Sequence, residues 1–522
     1  MPLNLLTDPW IPVLDTDGVP RVIAPWQIAD SHLATPDWPR ADLNLACYEL
    51  LIGLVFLADP PRDHDDWNAR VAPEPERLRD ALLPYAEAFE LMGDGPRFLQ
   101  DPGARGGAKN PPDMLFIDSA GGSTAKYNAD LMVRRGRYPS LDLGVAAMAL
   151  YTMQAFAPSG GAGNRTSMRG GGPLVTLVDP GKGLWHLIWS NVPNGSPAAP
   201  EDLPWMRPPR TSESGKPPVY PKGAAPVEMD GAPVEQFFGM PRRLWLEGDD
   251  RVTGVEQRPW GTNYAMWVHS TTPHYRQKRD AEWLPRHPAS GRLSYRNWAG
   301  IVFEAEDTAL RRRAEVLRLW ESRSDDIAQT LVGGWSMDNM SPRDFLWSVV
   351  PLFPLDKDAA VFAEDMVRAA TETAGQLAGA MGALLPNGAE REARVDAFWR
   401  ATESDFTLAL GKLTSAQSPG EGTEDGEGSA SDGAARHISA VAPGDRKALA
   451  EAWLGRLAQE ALNIFERDAL AALPQSRPDK QGEIVAAHER LRWFVHGYGK
   501  KAGAVREALG LPTKERKKRT AT

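Results

Sequence analysis

The chain has 522 residues, more than one hydrophobic core usually supports, so its length predicts two or three domains. A single cysteine, Cys47, excludes an internal disulfide framework and any zinc site built on paired cysteines, which is typical of a cytoplasmic protein. The net charge of -10 excludes a protein that coats nucleic acid over its whole surface, and no run of about eighteen apolar residues predicts a membrane span.

The N-terminal part of the chain predicts a scaffold of short strands and buried helices. Residues 4–13 indicate a strand that enters a turn, with Trp10 as a core residue. Residues 42–57 and 73–92 predict helices, the second with its apolar side chains on one stripe. Residues 141–156 predict a third helix, rich in alanine and methionine.

A basic segment between residues 103 and 139 has little regular pattern. Its cations stand among aromatic residues, as in Lys126, Tyr127, Arg134, Arg135 and Arg137. Cations interleaved with aromatics can pair phosphates and stack bases. The alternative is a solvated loop whose arginines keep it soluble.

A glycine-rich loop at residues 157–173 is the most informative stretch. Glycines let a backbone approach a ligand closely, and arginines place permanent positive charge beside it, a combination that suits a polyanion. The residues that carry this pattern are Gly160, Gly161, Gly163, Arg165 and Arg169. Residues 174–178 then predict a strand that anchors the loop to a sheet. The alternative is a mobile surface loop.

The middle of the chain predicts a further strand at 185–189, an extended proline-rich traverse at 192–234, and strands within 244–299. Its tryptophans are expected to fill the core: Trp245, Trp260, Trp267, Trp283 and Trp298. His269 and His274 have no third or fourth ligand nearby in the sequence, so no metal site is predicted.

A charged helix is predicted at 304–331, ending at Gly333 and Gly334. A short loop follows, and Ser341 opens the next element. Small side chains at the tip of this loop, around Asn339, could act as a wedge.

The C-terminal third predicts four helices, which together form a bundle. They cover residues 359–385, 390–413, 443–473 and 480–509. An acidic, glycine- and serine-rich insert near 418–434 is expected to be disordered, and a basic tail ends the chain. The predicted fold class is therefore α+β: a large mixed N-terminal domain at 1–355 and a four-helix bundle at 356–522.

The sequence contains none of the common catalytic motifs. It has no Gly-x-x-x-x-Gly-Lys phosphate loop, no His-Glu-x-x-His and no Gly-x-Ser-x-Gly elbow. No enzyme activity, catalytic residue, cofactor or metal is predicted.

Taken in order, residues 4–13, the glycine loop leading to residues 168–173, the Gly333–Trp335 loop and the terminal bundle resemble the CasA family. CasA is the large subunit of the type I-E CRISPR surveillance complex Cascade. The resemblance covers essentially the whole chain. It implies a non-catalytic subunit that reads the protospacer-adjacent motif on double-stranded DNA, starts strand separation and R-loop formation, and recruits the helicase-nuclease in antiviral defence.

The resemblance also implies site residues. The glycine loop of the family falls on Ser159, Gly160, Gly161, Ala162 and Gly163, with Ser159 and Ala162 in place of glycines. The wedge falls at Asn339, where a glutamine is expected, with Met337 or Met340 as possible helpers, and the basic minor-groove finger falls near Arg258. The segment 126–138 resembles the loop that docks against the 5′ end of the guide RNA and other Cascade subunits.

Two alternatives stay open from the sequence. The chain could be a structural assembly subunit while another chain reads DNA. Less favoured is a nuclease whose carboxylates meet only in the fold.

Overall fold

The structure is a computed structural model that describes residues 3–119, 136–161, 163–213, 216–224, 230–291, 293–303, 307–414 and 443–514. The chain forms two compact units. The first consists of Met1–Arg292 and Glu304–Val350, and the second of Leu293–Phe303 and Pro351–Thr522.

The strands are, in chain order, β1 (Ile11–Asp15), β2 (Pro20–Ile23), β3 (Leu33–Pro36), β4 (Ala108–Asn110), β5 (Leu141–Asp142), β6 (Val175–Asp179), β7 (Tyr220–Pro221), β8 (Asp230–Gly231), β9 (Arg243–Gly248), β10 (Arg251–Arg258), β11 (His274–Tyr275), β12 (Leu284–Pro285), β13 (Arg311–Arg312), β14 (Ala328–Asp338) and β15 (Ser341–Leu352).

The α-helices are α1 (Ala41–Ala58), α2 (His64–Ala69), α3 (Pro75–Leu82), α4 (Leu143–Phe156), α5 (Leu184–Ser190), α6 (Glu235–Phe238), α7 (Trp298–Val302), α8 (Glu315–Arg323), α9 (Lys357–Met381), α10 (Ala389–Leu413), α11 (Pro443–Ala472), α12 (Pro478–Val495) and α13 (Lys500–Ala508). Short 3-10 helices occupy Pro25–Ala29, Leu83–Phe89, Pro102–Ala104, Pro112–Leu115, Pro200–Asp202, Pro204–Met206, Tyr295–Asn297 and Leu473–Gln475.

Several small sheets, rather than one large one, surround the helices of the first unit. Their strand orders are β2-β1-β3, β4-β10-β5 with β9 also paired to β10, β12-β11-β13, β15-β14-β6 and the parallel pair β7-β8. Apart from β14 and β15 most of these strands are short, which leaves much of the surface to loops, and loops are where binding residues concentrate.

Helix α1 forms the centre of the first unit. It is apolar on every side and buried, as its sequence predicted, and it contacts α3, α4, α5 and α6. Among the described residues it is the one helix long and apolar enough to cross a membrane, but 89% of it is buried within the protein. Its composition is therefore that of a core helix.

Two sequence predictions in the first unit are wrong. Residues 185–189 form helix α5 rather than a strand. Trp185 and Trp189 lie about one helical turn from each other, and their rings stack with centroids 5.4 Å apart. The predicted helix at 304–331 is only α8, followed by strand β14, which pairs with β6 in the register Leu331↔Leu177.

The glycine pair predicted to end that helix lies inside β14. A Cβ on Gly333 would lie 2.8 Å from Leu45 Cδ2 of α1, and one on Gly334 would lie 2.2 Å from the Pro173 carbonyl oxygen. Both glycines therefore permit close packing of strand β14 against its neighbours. In the sequence, such a glycine pair resembles the signal that ends a helix.

The second unit consists of helices α9–α13 together with residues 293–303. Helix α9 contacts the four others. The ring of Tyr295 stacks on Phe406 at 4.7 Å, and its hydroxyl is hydrogen-bonded to Thr402 Oγ1 at 2.8 Å. The predicted α+β class with C-terminal helices is confirmed. The last predicted helix is instead two, α12 and α13, separated by Gly497 and Gly499, both at positive φ.

Candidate nucleic-acid interface

The glycine loop follows α4 and turns back on itself. The Gly160 amide donates to the Asn164 carbonyl at 3.1 Å, and the Asn164 amide donates to the Gly161 carbonyl at 2.7 Å. Gly161 and Gly163 have φ values of 67° and 83°, which favour glycine. Ser159, Gly160 and Gly161 are exposed, so the loop presents backbone to solvent; Ala162 lies outside the described residues.

The buried side chain of Arg242 contacts the glycine loop from the protein interior. The guanidinium of Arg242 donates to the Pro158 carbonyl, and a Cβ on Gly160 would lie 2.6 Å from its Nη1 atom. Arg242 is 6% exposed and has no carboxylate partner among the described residues. Burial lowers its pKa to about 10, so it still carries positive charge at neutral pH. The loop therefore lies over a fixed cation.

An exposed tryptophan flanks the loop on another side. The Trp260 amide donates to the Gly163 carbonyl at 2.8 Å, and a Cβ on Gly163 would lie 2.8 Å from the Trp260 ring. Trp260 is 40% exposed, so its assignment to the core was wrong, whereas Trp245, Trp267 and Trp298 are buried as predicted.

The sequence around Trp260 contained a signal for this placement. Pro259 and Gly261 flank the tryptophan, and proline and glycine mark turns. Arg165 belongs to the same cluster: its guanidinium carbon lies 5.6 Å from the centre of the Trp260 ring, and its Nε donates to Ser212 Oγ at 2.8 Å. Arg165 is thus held in place beside the loop.

Asn339 lies at the tip of a β-hairpin, not in the loop that the sequence predicted. Strands β14 and β15 are hydrogen-bonded and joined only by Asn339 and Met340. Their φ values, 48° and 64°, fit a two-residue type I′ turn, whose twist matches that of a hairpin. Both side chains are exposed, and an ion pair between Asp338 and Arg343, at 2.8 Å, lies beside the turn.

The hairpin tip and the glycine loop meet at Gly171. A Cβ on this glycine would lie 2.7 Å from Pro158 Cα, at the start of the loop, and 3.3 Å from Met340 Sδ, at the tip. A Cβ on Gly172 would lie 3.0 Å from Met337 Cε. Two elements far apart in sequence therefore form one exposed surface.

Arg258 lies near Trp260 in sequence, and its side chain contacts residues 105–107. It is the last residue of β10, two positions before Trp260, and is exposed. Its Nη2 donates to the Arg105 carbonyl at 3.0 Å, which leaves its charge without a carboxylate partner among the described residues.

Arg169 does not contribute to this surface. Its guanidinium forms a bidentate ion pair with Glu49, at 2.7 and 2.8 Å, and also contacts Thr271 and Thr272. Arg169 is 4% exposed and Glu49 is fully buried. The assignment of Arg169 to nucleic acid is corrected, because a buried, neutralised guanidinium cannot reach a phosphate.

The predicted RNA or subunit contacts are only partly described. Lys126, Tyr127, Arg134 and Arg135 lie outside the described residues. Arg137 is described: its Nη2 lies 3.4 Å from Asp118, and its guanidinium stacks on the Tyr138 ring at 4.8 Å.

Three groups with reactive chemistry are buried. His269 and His274 are each 1% exposed, and loss of hydration lowers the pKa of both, that of His274 to about 4. Burial raises the pKa of the Cys47 thiol to about 12. Among the residues that the structure describes, no group of three histidine, cysteine or acidic side chains could hold a metal ion.

The fold is that of solved CRISPR-associated proteins. It matches Thermobifida fusca Cse1 with a TM-score of 0.70 at 18% identity, covering 98% of this chain and 99% of that one. It also matches a CRISPR-associated protein from Thermus thermophilus (TM-score 0.69, 16% identity, 96% of this chain and 100% of that one) and Cse1 from Acidimicrobium ferrooxidans (0.66, 18%, 95% and 98%).

The sequence itself identifies the family. Residues 4–464 match the family described as CRISPR-associated protein Cse1. The chain belongs to the Cse1 family, the CasA proteins of type I-E CRISPR Cascade.

Proposed function

We propose that this chain reads the protospacer-adjacent motif for a type I-E Cascade and starts to separate the DNA strands beside it. The observation that carries the proposal is the single surface formed by the glycine loop and the tip of the β14–β15 hairpin, which meet at Gly171. Reading a motif and opening the adjacent base pairs require two such elements side by side.

The glycine loop suits close approach to a groove. Ser159, Gly160 and Gly161 are exposed; the Gly160 amide is bonded to Asn164 within the loop, and the amides of Ser159 and Gly161 can contact base edges or phosphates. The minor groove offers a degenerate pattern of acceptors, so a loop without long side chains reads it loosely and tolerates several motifs. Ala162 belongs to the same proposed contact by its position in the loop.

Local charge favours DNA although the whole chain is acidic. Arg258 is exposed at the end of β10, Arg165 stands beside the loop, and the buried cation of Arg242 lies beneath it. Two positive groups at one short loop, and a third on the strand that leads to Trp260, attract a phosphate backbone, and this attraction weakens with salt.

The hairpin tip supplies the wedge. A type I′ turn between two long strands holds Asn339 on a stiff support, and the neighbouring Met340 is 47% exposed. A side chain inserted between base steps costs a few kcal/mol of unstacking, which the growing guide–target heteroduplex offsets. The amide of Asn339 can also pair with an exposed base edge.

Family membership supports a proposal for the remaining partners. We propose that the segment containing Lys126, Tyr127, Arg134, Arg135 and Arg137 contacts the 5′ end of the guide RNA and other Cascade subunits. The chain then helps to recruit the helicase-nuclease, and it has no catalytic activity of its own.

Motif-dependent binding of the assembled complex tests the proposal. Complexes that contain the wild-type chain should bind duplexes with a good motif more tightly than matched duplexes with a poor one, at fixed salt. Gly161→Ala in this chain should weaken that preference, and an unchanged preference in the variant would favour a purely structural subunit while another chain reads DNA. Incubation of the purified chain with labelled DNA and divalent metal should leave the DNA intact, and cleavage would favour a nuclease.

A further inference from the structure

A narrow cleft in the first unit, which we call the arginine cleft, has an excess of positive charge. Its charged lining residues are Arg207, Arg210, Arg242, Arg243, Asp101 and Glu235. Four guanidinium groups therefore face two carboxylates. The cleft has room for about one sphere of the size of a water molecule.

Both carboxylates of the cleft are already paired. Glu235 accepts from Arg207 Nη2 at 2.5 Å and from Arg210 Nη1 at 3.3 Å, and Asp101 accepts from Arg243 Nε at 2.5 Å. Glu235 and Asp101 are buried, at 1% and 0% exposure. Neither is left to neutralise a further cation, and Glu235 is shared by two guanidinium groups.

Two buried N–H groups that belong to lining residues have no acceptor. Nε of Arg207 and Nε of Arg242 lack a hydrogen-bond partner among the described residues. Arg323, another buried arginine without a carboxylate partner, differs in this respect: it donates to the Val192 carbonyl at 3.0 Å and to Asn194 Oδ1 at 2.6 Å. Because a buried donor without an acceptor destabilises the protein, an acceptor bound in the arginine cleft is favoured.

Charge and size together select the kind of acceptor. The excess of positive charge favours an anion over a water molecule, and the small space favours a monatomic ion. Chloride is only slightly larger than water. A phosphate or sulfate group, with four oxygens around its central atom, needs more room than the cleft offers, so neither free phosphate nor a nucleic-acid backbone fits.

We propose that the arginine cleft binds one chloride-sized anion at Arg207 and Arg242, and that this anion holds Arg242 in place beside the glycine loop. Arg242 donates to the Pro158 carbonyl, and a Cβ on Gly160 would lie 2.6 Å from its Nη1 atom. A shift of this guanidinium therefore moves the start of the loop. Anion binding is independent of the proposed function, and only its effect on motif reading rests on that function.

The first test follows the stability of the purified full chain while chloride replaces gluconate, a large organic anion, at constant ionic strength. Chloride at ten times its dissociation constant should multiply the ratio of folded to unfolded chain about elevenfold, which calorimetry detects as a higher melting temperature. Arg242→Met should abolish this rise. Arg323→Met removes an equally buried arginine, 5% exposed against 6%, and should keep it.

Three results of this titration would overturn the inference. They are no rise in the wild-type chain, a wild-type rise in Arg242→Met, and loss of the rise in both variants, which would make it a general effect of lost buried charge.

A second measurement needs no substitution and decides the matter if Arg242→Met does not fold. Crystals of the wild-type chain are soaked in bromide, which replaces chloride and scatters anomalously. An anomalous peak within hydrogen-bond reach of Arg207 Nε and Arg242 Nε is expected, and inorganic phosphate should leave its height unchanged. An absent peak would mean that water fills the cleft, and displacement by phosphate would overturn the choice of a monatomic anion.

The effect on the glycine loop has a separate readout. Assembled complexes are titrated with good-motif and poor-motif duplexes in chloride and in gluconate at the same ionic strength, and the ratio of the two affinities cancels general salt effects. Loss of one loop contact in gluconate should lower this ratio about fivefold. A ratio above one that is equal in both salts would overturn the link to the loop. A ratio of one in both salts would refute motif reading and leave the anion site as an independent result.

Discussion

Two glycines of this chain permit a controlled test of the glycine loop. Gly161 has a φ of 67° and Gly181 has a φ of 68°, and a Cβ on either would meet no atom within 4 Å. Alanine at each position therefore has the same backbone strain, about 1 kcal/mol, and no steric clash. Gly161 lies in the proposed interface, while Gly181 lies in the turn between β6 and α5.

The two substitutions should differ only in DNA binding. A methyl group on Gly161 keeps the loop backbone from the groove. If two amide contacts of about 1 kcal/mol each are lost, affinity for the good motif falls about 30-fold. Gly181→Ala should keep wild-type affinity. Both variants should show the same small decrease in melting temperature.

The assay is a binding titration of assembled complexes on duplexes that differ only in the motif. Size exclusion first establishes that both variants assemble. The reasoning is refuted if Gly161→Ala discriminates between motifs as well as wild type does, or if Gly181→Ala loses as much discrimination.

Three other predictions concern buried ionisable groups. Arg169→Ala leaves Glu49 buried without its arginine partner, so the free energy of unfolding should fall by about 3–5 kcal/mol. Calorimetry should show this as a large decrease in melting temperature, and Arg169→Lys should not restore it. His274 has a folded pKa of about 4 against about 6.5 when unfolded, so it contributes a loss of about 3 kcal/mol of stability as pH drops from 6.5 to 4; in denaturant titrations His274→Gln should remove this part of the dependence and leave the part due to His269, whose pKa is also lowered. Arg242→Gln weakens support beneath Gly160 and should reduce motif discrimination without affecting assembly, as measured by the same titration and size exclusion.

Sequence periodicity predicted the helices that are buried either on all sides or along one face. Helix α1 and the helices α9–α11 follow from long apolar or amphipathic patterns. The hairpin was missed because two glycines in β14 resemble a helix end, and because its twelve-residue partner strand has the exposed side chains Trp347 and Val349. Strand β14 pairs with β6, some 150 residues earlier, and this long-range pairing makes residues 328–338 a strand. Local sequence patterns carry no information about such a pairing.

The candidate site was predictable where its signals were local. The exposed turn at Gly160 and Gly161 follows from glycine content alone. The burial of Arg169 depends on Glu49, 120 residues away, so a charged residue in a basic loop could not be assigned to the core from sequence. Contact between the glycine loop and Met340 is likewise a product of tertiary packing.

Strand opening by the hairpin tip is the central claim, and Asn339→Gly tests it most directly. Glycine keeps the type I′ turn, which alanine would strain at a φ of 48°, and removes the amide side chain together with its exposed hydrogen bond to Asp338 Oδ1. The measurement is the fluorescence of a 2-aminopurine placed next to the motif, recorded as the assembled complex opens relaxed duplex, negatively supercoiled DNA and duplex with a pre-opened bubble.

We predict that Asn339→Gly opens relaxed DNA about tenfold more slowly, equivalent to about 1.4 kcal/mol, because unstacking there lacks the inserted side chain. Supercoiling should shrink the defect and the bubble should abolish it, since both supply the unstacking energy. Opening of relaxed DNA at the wild-type rate, or a defect that persists undiminished on the bubble, would contradict a wedge at Asn339.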